Sequence, residues 1–342
     1  MLTVYEKLKA EKRPILIYGT GNGADKLIDC LNEKSIKISG VFVSDGFVRE
    51  RSFRGFKVLS FETAKMLFNN FVGLISFGTS RADTLNYVKD LATKTTLYMP
   101  EMPVIGTEVF DLEFAQKHKT ELEDVYNILS DEKSKNTFKG LINFKLSGEL
   151  EYLFNIEENE EKEFFKILNL AENSSFLDLG AYNGDTALQY ATRMGKNCKI
   201  TAVEPDKKSF KKLIKNTEGL NINCINAAVC DRVGTVQFSA QGDRGSTIGV
   251  GESVDALTID YLFEKQDYDY IKFDLEGAEL SAIIGAKNTI ANKKPKMLIS
   301  CYHKSDDYFT IPKKVLEFNP SYKVYMRHFP SIPAWDTVFY FV

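Results

Sequence analysis

The sequence predicts an α/β protein: a doubly wound seven-stranded sheet in the second half, preceded by a smaller α/β domain and a helical connector. Three observations predict it. Apolar runs of strand length alternate with helical patterns in both halves. A glycine-rich turn follows the first apolar run of each half, and the last two runs lie close together, as an antiparallel hairpin closing a parallel sheet requires. The chain has 342 residues, more than the roughly 100–200 of one domain, so two are expected.

In the first half, residues 14–18 (PILIY) run into Gly19-Thr20-Gly21-Asn22-Gly23-Ala24, then an amphipathic stretch over 25–32 and a second apolar run over 38–43. A third run, 72–77, precedes a helical pattern through 83–91, and 96–99 supplies one more strand. Residues 1–105 therefore read as a Rossmann-like domain. Its glycine turn is incomplete, because Ala24 stands where G-x-G-x-x-G requires glycine. A degenerate domain serving dimer contacts or acceptor docking is the preferred reading, with Asp45 as the residue nearest a ribose contact if a nucleotide binds. Across 106–173 glycines thin out, and Phe110, Phe114, Leu122, Val125 and Leu129 recur at helical spacing. This is the connector, within which 131–135 (DEKSK) reads as a flexible turn or a solvated helix end. From Ser174 to the last residue strands and helices alternate again, over 175–179, 199–203, 222–229, 270–274, 296–301, 323–327 and 337–342.

Composition excludes several functions. With 44% hydrophobic residues, 27% charged and a net charge of −3, the chain lacks the positive field of a nucleic-acid binder. Its apolar runs fall far short of the ~20 residues that span a bilayer, and residues 1–12 lack the apolar core of a secretory signal. A cytoplasmic protein with a small-molecule substrate and no membrane partner is expected, with homo-oligomerisation through the first domain as an option. The five cysteines are scattered and form no C-x-x-C pair, which argues against a disulfide framework and a structural zinc site. No metal site is assigned.

The chemistry concentrates in the second half. Phe176-Leu177-Asp178-Leu179-Gly180-Ala181-Tyr182-Asn183-Gly184-Asp185-Thr186 is a strand that breaks into a glycine loop and opens a helix. Glycines let the backbone approach a ligand, and the helix start offers amide donors. Alone, the loop also fits a structural tight turn. Glu204, in Val203-Glu204-Pro205-Asp206 after the next strand, adds specificity, because a carboxylate there can accept hydrogen bonds from both hydroxyls of an adenosine ribose. Asn226, Ala227 and Ala228 follow at the third strand, where small residues can admit an adenine ring, and Asp274 ends the fourth.

These segments, with ALTIDYL at 256–262, IKFDLEGAE at 271–279 and the closing YKVYMRHFP and DTVFYF, resemble the FkbM family of methyltransferases over residues 174–342. The strand order matches the class I methyltransferase topology. The resemblance implies S-adenosylmethionine as methyl donor and O-methylation of glycans, nucleotide-linked sugars or macrolide-type natural products. A sugar hydroxyl on a nucleotide-linked sugar or surface-polysaccharide precursor is the expected acceptor.

Two carboxylates, Asp274 and Glu276, stand two apart on an extended segment and point the same way. They can hold the donor's ammonium, orient an acceptor hydroxyl or bind a hard cation; the plain alternative is a capped helix start. Methyl transfer to oxygen needs alignment and a proton acceptor, ideally one of near-neutral pKa. Of three histidines, His303 follows the fifth strand at the ligand-binding edge and is the favoured base; His118 is expected on the surface. His328, Tyr302, Trp335 and Arg244 are expected to contact the acceptor, Arg244 through a phosphate. The competing readings are a nicotinamide-dependent sugar oxidoreductase built on the Gly19 loop and a non-catalytic scaffold that keeps the donor pocket.

Overall fold

The computed structural model describes residues 2–47, 52–195, 197–239, 247–248 and 251–342. The first half carries a six-stranded sheet in the order Ser52–Phe53, Phe56–Ser60, Gly40–Val43, Ile15–Tyr18, Val72–Ile75, Thr96–Tyr98. All neighbours are parallel except the first pair, an antiparallel hairpin. The central strands Ile15–Tyr18 and Val72–Ile75 are buried along their whole length, as a parallel sheet covered on both faces requires. The strand Phe56–Ser60 had no counterpart in the sequence reading, because only Val58 and Leu59 of its five residues are buried. The Gly19 turn is built for packing: a Cβ on Gly23 would lie 2.1 Å from the Ser76 carbonyl oxygen.

The second half carries the seven-stranded sheet, in the order Val324–His328, Thr337–Phe341, Lys296–Ser300, Tyr270–Phe273, Phe176–Leu179, Ile200–Val203, Ile222–Ile225. Its last five members run parallel, and Thr337–Phe341 is antiparallel to both neighbours. The α/β class and the closing hairpin are as the sequence predicts. One strand differs. The run over 222–229 divides: Ile222–Ile225 stays in the large sheet, while Ala228–Val229 leaves for a four-stranded sheet with Glu252–Leu257, Gly234–Ser239 and Thr247–Ile248. Between them the Asn226 amide donates to the carbonyls of Glu204 and Pro205, at 2.8 and 3.1 Å, and so turns the chain.

Between the sheets lie the helices Leu112–Lys117, Lys119–Ile128, Glu132–Ser147, Glu151–Phe154 and Glu160–Leu168. The segment 131–135 is a helix end and not a flexible turn, with Glu132 exposed and Ser134 buried. Asp131 caps Glu132–Ser147, accepting from the Ser134 amide at 2.8 Å. It also accepts from Arg327, whose fully buried guanidinium lies 2.6 Å from Asp131 and 2.7 Å from the buried Glu163. This network ties two of the helices to the strand Val324–His328. His118, expected on the surface, instead stacks on Phe309 at 4.8 Å.

The two halves also meet through a pair of backbone bonds. Thr79, after the strand Val72–Ile75, exchanges backbone hydrogen bonds with Ile332 at 2.7 and 2.9 Å. Beside it the Trp335 ring lies so close to Gly78 that a Cβ there would sit 2.1 Å from a ring carbon.

Candidate active site

A cleft of about 1530 Å³ opens along the carboxyl ends of the central strands of the large sheet, where open α/β folds place their ligands. One end is built by the loop after Phe176–Leu179. Gly180 has φ +81°, and a Cβ on it would fall 1.9 Å from the Asp274 carbonyl oxygen. Tyr182 follows at φ +48°. This curled backbone turns the Tyr182 amide onto Glu204 Oε2 at 2.8 Å, while the Asp206 amide donates to Oε1 at 2.8 Å. Held from both sides, the Glu204 carboxylate lines the cleft with lone pairs left for two further donors. Burial outweighs those amide bonds and pushes its pKa up to about 7. Asp178 is fully buried behind the loop, and neither of its oxygens has a hydrogen-bond partner among the described residues; burial raises it to about 6.

At the centre stands the acidic run. Asp274 Oδ2 lies 3.4 Å from Lys272 Nζ, which is also 3.9 Å from Asp178. The Tyr302 hydroxyl donates to Asp274 Oδ1 at 3.3 Å. Although burial disfavours charge on Asp274, Lys272 and His303 hold its pKa below the ordinary range. Glu276 lines the cleft from a residue at φ +48°, followed by Gly277 at +88°, so the chain here is a tight turn and not the extended segment expected. The short helix Glu279–Ile284 begins after it.

His303 does not occupy the position expected of a base. It is 1% exposed and sits behind the acidic run, with Nδ1 3.0 Å from Glu279 Oε1 and Nε2 3.7 and 3.5 Å from Asp274 and Glu276. Burial opposes charge on the ring, yet Glu279, Asp274 and Glu276 outweigh it and raise the pKa to about 9. At neutral pH it is an imidazolium that already holds its proton. Ligand atoms of Asp274, Glu279 and His303 lie within 4.8 Å of one another, and their opposite charges form an ion-pair network around the ring. Because the folded pKa is raised, this network's stabilisation is complete below about 6.5, the value of a free histidine. It is lost as pH rises through about 9. An NMR titration of the ring should find its midpoint near 9, and a midpoint at or below that of a free histidine would refute this arrangement.

Other expected residues fall on and off the cleft. Asp185, Thr186, Pro205, Tyr302 and Trp335 line it. Asp206 lines it while also capping the helix Lys207–Asn216, accepting from the amides of Lys208 and Ser209. Ala181, Asn183 and Gly184 lie behind the loop and shape it; Gly184, at φ +86°, packs on Leu213. Asn226, Ala227 and Ala228 do not line the cleft: Asn226 braces the Glu204 backbone, Ala227 is buried in the main core and Ala228 on the strand Ala228–Val229. His328 is also off the cleft. It is fully buried, bonded to Thr337 Oγ1 at 3.0 Å, and burial lowers its pKa to about 3. Arg244 lies outside the described residues. Sequence reasoning missed Lys272, Phe238, Asp336, Gly78 and Ser80, all of which line the cleft. Lys272 was legible in the alternation Lys272-x-Asp274; the others come together only through the fold.

A glycine loop that bends onto the Asp274 backbone, a braced carboxylate after the second strand and a buried acid behind them define a class I, S-adenosylmethionine-type methyltransferase site. Residues 178–322 match the Methyltransferase FkbM domain, and this part of the chain is a methyltransferase domain of that family, with S-adenosylmethionine as cofactor. The chain is similar over 99% of its length to an FkbM methyltransferase from Methylobacillus flagellatus KT, covering 93% of it at 21% identity and TM-score 0.75. That likeness establishes the fold for both halves. Weaker resemblances are to Aeropyrum pernix fibrillarin with bound S-adenosylmethionine (16% identity, 50% of this chain and 67% of that one, TM-score 0.34) and to a Geobacter metallireducens precorrin-6y methyltransferase (14%, 53% and 84%, TM-score 0.34). No curated protein matches the chain. Among the described residues no helix is long and apolar enough to cross a membrane.

The cofactor fits what the residues present. Glycine at 180 lets the loop lie directly against the Asp274 backbone, with no room for a Cβ between them, Glu204 keeps lone pairs toward the cleft, and Asp178 is a buried acceptor behind the loop without a hydrogen-bond partner among the described residues. Gly180→Ala is accordingly expected to cost about 1–3 kcal/mol of local strain and to weaken S-adenosylhomocysteine binding in calorimetry; unchanged affinity would contradict this role for the loop.

Proposed function

We propose that the protein is an O-methyltransferase whose acceptor is a hydroxyl of a sugar-like molecule. The observation that carries the reading is a single cleft joining the Glu204 loop to the carboxylates Asp274 and Glu276. When bound, S-adenosylmethionine supplies an electrophilic methyl group on a sulfonium centre. Glu204 receives the ribose hydroxyls, and Asp178 with Lys272 frames the polar end of the donor. Asp274 and Glu276 present carboxylate oxygens to the acceptor hydroxyl, and one of them takes its proton. Tyr302 and Lys272 fix the orientation of Asp274 through contacts at 3.3 and 3.4 Å. His303 is a positioning residue: its charge, set behind Asp274 and Glu276, holds their rotamers and helps keep the Asp274 pKa low.

The carboxylates of Asp274 and Glu276 suit oxygen chemistry on a polyol, because carboxylates only accept hydrogen bonds and hydroxyl groups can donate them. Protein incubated with labelled donor and a panel of hexosides and heptosides should yield product labelled on oxygen. Asp274→Asn should lower turnover by about 10²–10⁴-fold, the usual contribution of a proton acceptor, with donor affinity nearly kept. Label found only on nitrogen or carbon acceptors would overturn the reading.

A further inference from the structure

The cleft is larger than a donor alone requires. Its volume of about 1530 Å³ exceeds the roughly 300–1,000 Å³ of a pocket for one small ligand, and it does not stop at the strand ends. Strand register sets Ser300 beside Val338, then Lys272 beside Leu298, then Tyr270 beside Phe176, in successive rows that run inward along one face of the sheet. All six line the cleft. So do Phe164, from the helix Glu160–Leu168, and Tyr190, from the helix Asp185–Met194, which cover that face. Apart from Lys272 and Ser300, this inner lobe is apolar. Its rings brace one another: Tyr270 stacks on Phe176 at 4.8 Å and meets Phe164 edge-on at 5.6 Å. The lobe lies away from Glu204, because the strands that carry Leu298 and Val338 are on the far side of Tyr270–Phe273 from Ile200–Val203.

Resting on the methyl-transfer reading above, we infer that this lobe is the subsite for a hydrocarbon arm carried by the acceptor. The substrate is then amphipathic, with its hydroxyl-bearing head at Asp274 and Glu276 and its apolar arm along Leu298, Tyr270 and Phe164. Packed interiors leave few voids wider than a water molecule, so apolar side chains that line a space continuous with the reaction centre mark a binding surface. The donor does not claim the lobe. Its methionine end carries an ammonium and a carboxylate, which are costly to bury against aromatic rings and stay with Asp178 and Lys272 at the lobe's entrance. Because the rings already hold one another in place, the arm enters a preformed slot and its burial is converted into affinity with little ordering cost.

Protein saturated with S-adenosylhomocysteine is titrated calorimetrically with methyl, butyl and hexyl glucopyranosides and with the matching alkanols, all below micelle-forming concentrations. Each methylene that enters the lobe should tighten binding about four-fold, so hexyl glucoside should bind at least about ten-fold more tightly than methyl glucoside. Leu298→Gln, which keeps the side chain's size and adds an amide, should cut that gain to about two-fold or less. Should the variant not fold, hexyl glucoside bearing a terminal diazirine, photolysed in the unaltered protein, should label Glu160–Leu168, Asp185–Met194 or Lys296–Ser300. No gain with chain length in either series, a gain unaltered in Leu298→Gln, or labelling confined to other segments overturns the lobe. Glucosides that bind no better than alkanols of the same length, with the chain-length gain kept, support the lobe and overturn the sugar-like head. Failure to bind S-adenosylhomocysteine overturns the donor reading on which both rest.

Discussion

Glu204→Ala is expected to abolish measurable binding of S-adenosylmethionine and S-adenosylhomocysteine, with a loss of at least about 100-fold in affinity. Two hydrogen bonds to a charged acceptor contribute about 1.5–3 kcal/mol each, and every 1.4 kcal/mol is about ten-fold. The carboxylate also braces the loop, through the Tyr182 and Asp206 amides at 2.8 Å each, so its removal loosens the Gly180 cradle as well. Glu204→Gln keeps an acceptor and should lose less. Affinity should further depend on pH. Burial lifts the Glu204 pKa to about 7 in the free protein, and ribose hydroxyls favour the ionised form. Donor binding therefore releases a proton and weakens as pH falls below about 7, by up to about ten-fold per unit. Calorimetry at pH 6 and 8 checks this, and equal affinities would contradict the assigned role.

Arg327→Met should destabilise the fold by about 3–5 kcal/mol, the cost of leaving buried charges without a partner. Arg327 is fully buried and bonds Glu163 at 2.7 Å and Asp131 at 2.6 Å. Glu163 is itself buried, and Lys133 at 3.0 Å neutralises it only in part. Urea unfolding should show a lower midpoint, and a further Glu163→Gln change should recover part of the loss by removing the stranded charge. The same network predicts acid sensitivity. Arg327 and Ser134 hold Asp131 down to about 2 against burial, and Arg327 with Lys133 lowers Glu163. Depressed carboxylate pKa values stabilise the fold above about pH 4 and lose that contribution as pH falls through the folded values. A variant as stable as the parent would show that the helices are held to the sheet by apolar packing alone.

The donor half of the site was legible in the sequence because its determinants are local. Gly180 and Glu204 each follow a strand directly, and a close approach or a ribose contact requires those residue types wherever that turn occurs. Histidine roles were not legible. The position of His303 at a strand end says nothing of Glu279, whose helix places a carboxylate 3.0 Å from the ring and turns an expected base into a fixed cation. His328 sits in a strand that alternation alone could not show to be covered on both faces. The acceptor end was the least legible, since Tyr302 and Asp336 are joined by the pairing of Lys296–Ser300 with Thr337–Phe341, and Gly78 reaches them through the Thr79–Ile332 seam. Asn226 shows a subtler limit: its position beside Glu204 was readable, but not that its amide donates to the backbone carbonyls of Glu204 and Pro205.

The most direct measurement is isothermal titration of the purified chain with S-adenosylhomocysteine and, separately, with NADH. One S-adenosylhomocysteine should bind per chain, with binding lost in Glu204→Ala, while NADH produces no heat of binding; binding of NADH with none of S-adenosylhomocysteine would contradict the assignment.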